Sequence, residues 1–381
     1  MSARPVILIF IDWFAPGYKA GGPIASCLNF IHLMKSDYTL WVFTSDTDLG
    51  ETKPYKDILT GEWINDAKND CMIYYAKSNG PVLAQIREAI EFVKPDFVYL
   101  NHIFSPKFVI YPLWLKWKGI IKSKVVVCPR GALYESALAV KPYKKTPFLK
   151  LFRWMGIHKK ILFHATSERE QKAILDYFPG SKVLVADDLP NTLQPMLRSV
   201  SKQPGILKSI FIARIHPIKN LLFLIGVLKQ VRSSIQLTII GPVEDASYWE
   251  ICKTEAASLP SNIKMLFEGS LPNNELLAVL QKQHLFIMPT KGENFGHSIF
   301  ESLLAGRPVL ISDQTPWLHL KEQNVGWDLP LKEPVQFIAA IETAAAWNQQ
   351  TFDEWCGNAW QYAKKFIDNP VLKQQYLQLF S

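Results

Sequence analysis

Two carboxylates and two cations in the second half of the chain have the types and spacing to hold a sugar diphosphate. Glu293 and Glu301, with seven residues between them, frame the run ENFGHSIFE. An ionised carboxylate only accepts hydrogen bonds, so it suits ligand hydroxyls and is a poor partner for phosphate. Arg214 and Lys219 stand in ARIHPIKN, and two such cations would neutralise a diphosphate as it leaves and its charge grows. Asn294, Phe295, Gly296 and His297 open a helical pattern, whose free N–H groups and positive dipole end favour an anion. Gly296 has no Cβ to keep a ligand away from that backbone. Phosphate-binding amides beside hydroxyl-binding glutamates describe a site for a nucleotide sugar. Taken singly, each residue has a plainer reading: a solvated helix glutamate, a surface cation, or a turn with a core aromatic. The combination is what points to chemistry.

These groups need particular elements to position them. Leu285 to Met288 is an apolar run that reads as a buried strand. A loop with Gly292 follows, then a helix from about Ser298 to Ala305 that stops at Gly306, then a second strand at Pro308 to Ile311. Strand–loop–helix–strand units build parallel sheets, and ligands sit outside the carboxyl ends of their strands. Arg214 ends another strand pattern, SIFIAR (209–214), and Lys219 precedes the helix that follows.

The first half is built on the same plan. Val6 to Ile11 reads as a strand and opens into DWFAPGYKAGGP (12–23), with a helix from Ile24. Gly21 and Gly22 in that loop suit a phosphate or sugar cradle, although the pattern is not GxGxxG. Further strands are expected at 39–46, 72–76, 96–102, 125–128 and 183–186, with a polar loop to about Asp70 and a helix at 81–93. His102 and Arg130 fall at carboxyl ends of strands, Arg130 where it can meet an anionic ligand. Ser167 and Glu170 have the spacing of a capping box. The polar stretch 199–206 reads as the linker between two domains, which the length of 381 residues also favours.

The net charge of +8 lies wholly in residues 1–200, where 26 Lys and Arg face 18 acids; the remainder has 16 of each. Residues 141–160 hold seven Lys or Arg and no acid, interleaved with aromatics, and 114–124 add four lysines and two tryptophans. That mixture suits an anionic membrane surface; a solvated helix face is the other reading, and no recognition motif favours nucleic acid. Five scattered cysteines without a CxxC pair exclude a disulfide framework and a zinc site, and point to a reducing, cytoplasmic compartment. The apolar N-terminal run is short and broken by Asp12, which fits a first strand better than a signal peptide.

The stretch 285–317, LFIMPTKGENFGHSIFESLLAGRPVLISDQTPW, resembles the retaining glycosyltransferases of family 4. The Arg-x4-Lys pair and the ATSE step at 165–168 resemble the same family. The resemblance implies an α/β chain of the GT-B fold: two Rossmann-like domains facing a central cleft, at 1–198 and 199–365, with a C-terminal helix (366–381) crossing back to the first. It implies that Glu301 holds the donor's ribose and Glu293 its sugar hydroxyls. Arg214 and Lys219 would then hold the diphosphate, His102 would stand beside the anomeric carbon, and Gly21 and Gly22 would face donor phosphates. Arg130 would meet the acceptor. The implied reaction transfers a sugar from a nucleoside diphosphate sugar to a glycan or lipid-linked hydroxyl, with retention, in lipopolysaccharide or exopolysaccharide synthesis. The sequence shows no ligand-spaced His/Cys/Asp cluster, so a metal-independent enzyme without a cofactor is expected. A GT-B epimerase or phosphorylase, or a non-catalytic binding partner, remains an alternative.

Overall fold

The computed structural model describes residues 4–139, 142–190 and 198–381. The chain divides into two compact units, Met1–Leu189 with Pro370–Ser381, and Pro190–Asn369. Among the described residues, no helix is long and apolar enough to cross a membrane.

Unit 1 is built on eight strands: β1 (Val6–Phe10), β2 (Thr39–Ser45), β3 (Trp63–Asp66), β4 (Cys71–Ala76), β5 (Phe97–Asn101), β6 (Lys124–Cys128), β7 (Leu162–Ala165) and β8 (Lys182–Val185). Their order across the sheet is β3-β4-β2-β1-β5-β6-β7-β8. All neighbours are parallel except β3, which runs antiparallel to β4. The sequence reads β3 as loop because its four residues show neither an apolar run nor alternation. It is fixed from outside, by pairing with β4 and by Trp63 standing edge-on to Trp41 at 4.7 Å.

Crossover helices cover both faces of this sheet, which is why its central strands are continuously apolar. Leu8, Phe10, Val98 and Leu100 share a core with α2 (Val82–Val93), α3 (Tyr111–Trp117), α5 (Pro142–Trp154) and α6 (Glu168–Tyr177); a short α4 (Glu135–Leu138) precedes α5. On the other face Phe30 of α1 (Gly22–Met34) meets Tyr99 at 5.0 Å. The last helix of the chain, α13 (Val371–Leu379), returns to this face, where Tyr376 lies 5.7 Å from Phe30 and the Phe380 carbonyl accepts a hydrogen bond from Tyr38.

Unit 2 has a wholly parallel sheet of β9 (Ile206–Ile212), β10 (Ser234–Ile240), β11 (Ile263–Gly269), β12 (Leu285–Met288), β13 (Val309–Ser312) and β14 (Gly326–Leu329), in the order β11-β10-β9-β12-β13-β14. Helices α7 (Leu221–Leu228), α8 (Ala246–Ala256), α9 (Asn273–Leu280), α10 (His297–Leu304), α11 (Pro334–Ala346) and α12 (Gln349–Ile367) complete it. The polar stretch 199–206 is fastened inside this unit. Lys202 is buried there and donates to the carbonyls of Ala345 and Trp347, at the end of α11. Its ammonium is pushed down to about 8 by that burial. The division between units falls earlier, at Leu189.

Strand order reverses once in each sheet. β1 lies between β2 and β5, and β9 lies between β10 and β12. Such switch points open a crevice at the carboxyl ends of the strands, where ligands bind in open α/β sheets.

Candidate active site

At the switch point of unit 2, two loops are tied together by backbone. The carbonyl of Ile218, in the β9–α7 loop, accepts from Thr290 Oγ1 at 3.1 Å and from the Lys291 N–H at 2.7 Å. The Glu293 N–H is held in turn by the Gln314 carbonyl at 3.0 Å. These bonds bring the two loops into register, and Lys219 and Glu293 form a direct ion pair with side chains 15% and 13% exposed. Asn220 takes a left-handed conformation to turn the chain into α7, and His216 Nδ1 accepts from the Ile218 N–H at 3.2 Å. That contact requires an unprotonated Nδ1. Burial, with the Arg214 cation nearby, lowers the ring's pKa, and Glu244 opposes them.

Arg214 donates to Glu244 at 2.6 Å, both side chains about one-third exposed. Glu244 comes from the β10–α8 loop, which folds back on the end of β9. The Ile215 N–H donates to the Pro242 carbonyl at 2.8 Å, and the Glu244 and Asp245 N–H groups donate to the Ile215 carbonyl. Gly241 makes this approach feasible, since a Cβ there would lie 2.0 Å from the Ala213 carbonyl oxygen. Nothing in the sequence marks Glu244 or His216, because their roles arise from how these loops fold together.

Gly296, whose φ of 81° is left-handed, precedes α10, and among the described residues no side-chain hydrogen bond caps the helix. Phe295 is buried against Phe300 and Trp317, so it offers a ligand only its backbone. His297 is the first residue of the helix and its ring lies 4.9 Å from that of Phe295. Glu301, one turn on, is half-buried. No group among the described residues hydrogen-bonds its carboxylate; burial raises its pKa and the nearby His297 lowers it.

Unit 1 presents a second cluster at its own switch point. Phe10 pairs with Leu100, so Asp12 and His102 stand at matching positions two residues beyond on β1 and β5. The Ser105 hydroxyl donates to Asp12 at 2.7 Å. Burial pushes the Asp12 carboxyl up to about 6, with the Ser105 bond opposing. His102 is exposed and has a φ of 72°. Gly21 caps α1 and Gly22 is its first residue. The loop before them is held from below: Tyr75 donates to the Ala15 carbonyl at 2.5 Å, and Asp48 accepts from the Tyr18 and Lys19 N–H groups. Asp12 and Asp48 escape sequence reasoning because isolated aspartates in loops carry no pattern.

Arg130 does not reach out from its strand end as the sequence suggests. Its backbone is left-handed, and the guanidinium turns back onto Asp188 at 2.7 Å, Asn101 at 2.9 Å and the Tyr99 hydroxyl at 3.3 Å. The capping box is also only half made. Ser167 accepts from the Glu170 N–H, but the Glu170 carboxylate goes to Gly131 and Thr166 instead.

Two α/β units with Rossmann-like parallel sheets define the GT-B fold. Residues 198–346 match the family described as Glycosyl transferases group 1, a span that contains Arg214, Lys219, Glu293 and Glu301. No curated protein matches the chain by sequence. Among solved structures, it is similar to sucrose-phosphate synthase from Thermosynechococcus elongatus, with a TM-score of 0.74 and 15% identity over 99% of this chain and 98% of that one. It is also similar to Anabaena HepE in complex with UDP and glucose, at 0.70 and 15% over 98% and 99%. Trehalose-6-phosphate synthase OtsA matches at 0.67 and 11% identity over 99% of each chain. At these identities the likeness shows the fold.

Proposed function

We propose that the protein is a retaining glycosyltransferase that moves a sugar from a nucleoside diphosphate sugar to a hydroxyl of a glycan or lipid-linked acceptor, in the cytoplasm and without a metal. The observation that carries the reading is the Lys219–Glu293 ion pair at the β9/β12 switch point, inside the stretch that matches group 1 glycosyl transferases. A diphosphate would take Lys219 and Arg214 from their present acidic partners. Sugar hydroxyls would take Glu293, and the ribose would take Glu301. The positive end of the α10 dipole would complete the phosphate site.

Arg214 and Lys219 act as the bond from the anomeric carbon to phosphate breaks, by stabilising the charge that grows on the leaving diphosphate. The acceptor oxygen bonds to the same face of that carbon, and its proton passes to the departing phosphate oxygen. This accounts for retention without a protein nucleophile. Synthesis of lipopolysaccharide or exopolysaccharide is the setting this chemistry would serve.

A thermal-shift panel of UDP, GDP and ADP, with and without EDTA, tests the donor site. A ligand at 100 times its dissociation constant adds about 2.7 kcal/mol. One responding nucleoside diphosphate, unchanged by EDTA, is the expected outcome; no response from any of them would remove the reading. Anomeric configuration of the product, read by NMR, decides retention and separates transfer from epimerisation.

A further inference from the structure

Residues 97–167 hold thirteen Lys or Arg and a single acid, Glu135, whereas the rest of the chain carries four more acids than bases. Helices α3 and α5 display this charge on a surface of unit 1. The longer of them, α5, is apolar on two sides. Leu149 and Phe152 enter the core. Tyr143, Leu151 and Trp154, by contrast, are 70%, 53% and 83% exposed. At 3.6 residues per turn, positions 143, 147, 151 and 154 form one stripe, opposite 148, 149 and 152. Pro147 belongs to that outer stripe and is exposed too, and Lys144, Lys150 and Arg153 flank it, all exposed.

The shorter helix repeats the theme. Tyr111, Trp114 and Trp117 recur every third residue, partly exposed, and the Lys118 ammonium lies 5.8 and 5.0 Å from the two indole rings. Phe104, in the segment that leads from β5 towards α3, meets the Phe148 ring of α5 at 5.7 Å and its Lys145 ammonium at 5.2 Å. Burial lowers the pKa of Lys116, and the nearby Lys160 adds to it. Lys141 lies outside the described residues.

A solvated helix face has no use for an exposed Leu, Tyr and Trp in line. A second copy of the chain is a poor occupant, because the two basic faces would repel. Nucleic acid would satisfy the lysines but give the aliphatic Leu151 and Pro147 nothing to enter. An anionic bilayer satisfies both, with phosphates for the cations and an interfacial layer for aromatic and aliphatic side chains. We infer that the α3–α5 face docks the protein on an anionic membrane surface, with Tyr143, Leu151 and Trp154 entering the interface and the flanking lysines meeting lipid headgroups. This docking is independent of the donor chemistry proposed above.

Flotation of the full chain with vesicles tests it, using phosphatidylcholine alone and phosphatidylcholine with about one-third phosphatidylglycerol, at low and at roughly 0.5 M salt. Binding to the anionic vesicles only, weakened by salt, is expected. Trp154→Ser and Leu151→Ser should each cut partitioning about tenfold, and Lys150→Ala and Arg153→Ala about fivefold each. All four should keep the parent melting temperature and its response to nucleoside diphosphates, which separates a failure here from a failure of the donor site. Equal binding to neutral vesicles, no flotation, or stripe variants that float like the parent would overturn the inference. So would tighter retention by a single-stranded oligonucleotide than by vesicles at the same salt, or a dimer that Trp154→Ser dissolves.

Discussion

Lys219 and Glu293, 74 residues apart in sequence, neutralise each other across the β9/β12 switch point with their side chains mostly buried. In the proposed function each would stand in for a ligand group: a diphosphate for the cation and hydroxyls for the acid. A partly buried pair left with one member is worse off than either an intact pair or no pair at all. Lys219→Ala should lower turnover roughly 100-fold or more, the usual loss for a preorganised charge contact in catalysis. Glu293→Gln should be comparably damaging. Because either change breaks the same unit, the double variant should lose much less than the product of the two. Release of nucleoside diphosphate at saturating donor reads this directly, and fully multiplicative losses would mean the two residues act separately.

Arg214 is held differently, and the difference has a measurable consequence. Its partner Glu244 is about one-third exposed, and pairs this open contribute little to stability, about 0–1 kcal/mol. Glu244→Ala should leave the melting temperature nearly unchanged while tightening nucleoside diphosphate binding, since the guanidinium is then free. Arg214→Ala should weaken that binding. Titration calorimetry with UDP, GDP and ADP distinguishes them, and weaker binding by Glu244→Ala would assign that carboxylate to the ligand instead.

Glu301 shows a conflict between stability and use. Burial raises its carboxyl pKa, so the folded state disfavours the carboxylate that a ribose needs. A raised folded pKa gives a contribution that is complete below the unfolded value and lost as pH rises through the folded one. Above the folded pKa that contribution is gone, and there Glu301→Gln, neutral throughout, should melt higher than the parent. It should at the same time lose most of its thermal response to the nucleoside diphosphate. A variant that melts lower and still responds would place Glu301 in the fold rather than the site.

These residues show what a sequence can convey. The stretches that carry Arg214, Lys219, Glu293 and Glu301 were legible as strand, loop and helix, and unit 2's sheet places both junctions, β9–α7 and β12–α10, at one carboxyl edge. The sheets themselves were legible where strands are buried on both faces and read as apolar runs. β3 and β14 were not, because each is four residues with an aspartate among them and takes its conformation from the one strand it pairs with. Glu244, Asp12 and Asp48 were invisible for a related reason: each works through a loop folded by distant backbone contacts. Arg130 misled because its strand-end position is real, while a left-handed backbone turns the side chain inward.

Arg130 accordingly gives a structural prediction. Its guanidinium compensates the buried Asp188 carboxylate and bonds Asn101 and Tyr99. Arg130→Ala should cost about 3–5 kcal/mol, the loss expected when a buried charge is left alone. Arg130→Lys should recover only part of it, lacking the planar fork that reaches three partners. Urea unfolding measures both. A variant of normal stability with a selectively raised acceptor KM would return Arg130 to the acceptor site.

Asp12 offers a test in the pH domain. Its carboxyl rises from 3.8 to about 6, chiefly by burial, and the Ser105 hydroxyl is the main opposing contact. The sign follows from the raised value: the neutral acid fits the fold, so its contribution is complete below about 3.8 and disappears as pH climbs past about 6. Asp12→Asn should therefore match the parent at the acid end and melt higher at pH 7, with the gap opening between those values. Ser105→Ala removes a bond that favours the carboxylate, so in that background the gap should grow larger and level off at higher pH. Other carboxylates titrate over the same range, but they cancel in the difference between parent and variant. A gap that stays constant from pH 4 to pH 7 would show that Asp12 ionises as an ordinary aspartate, and that its place beside His102 at the β1/β5 switch point gives it no special protonation.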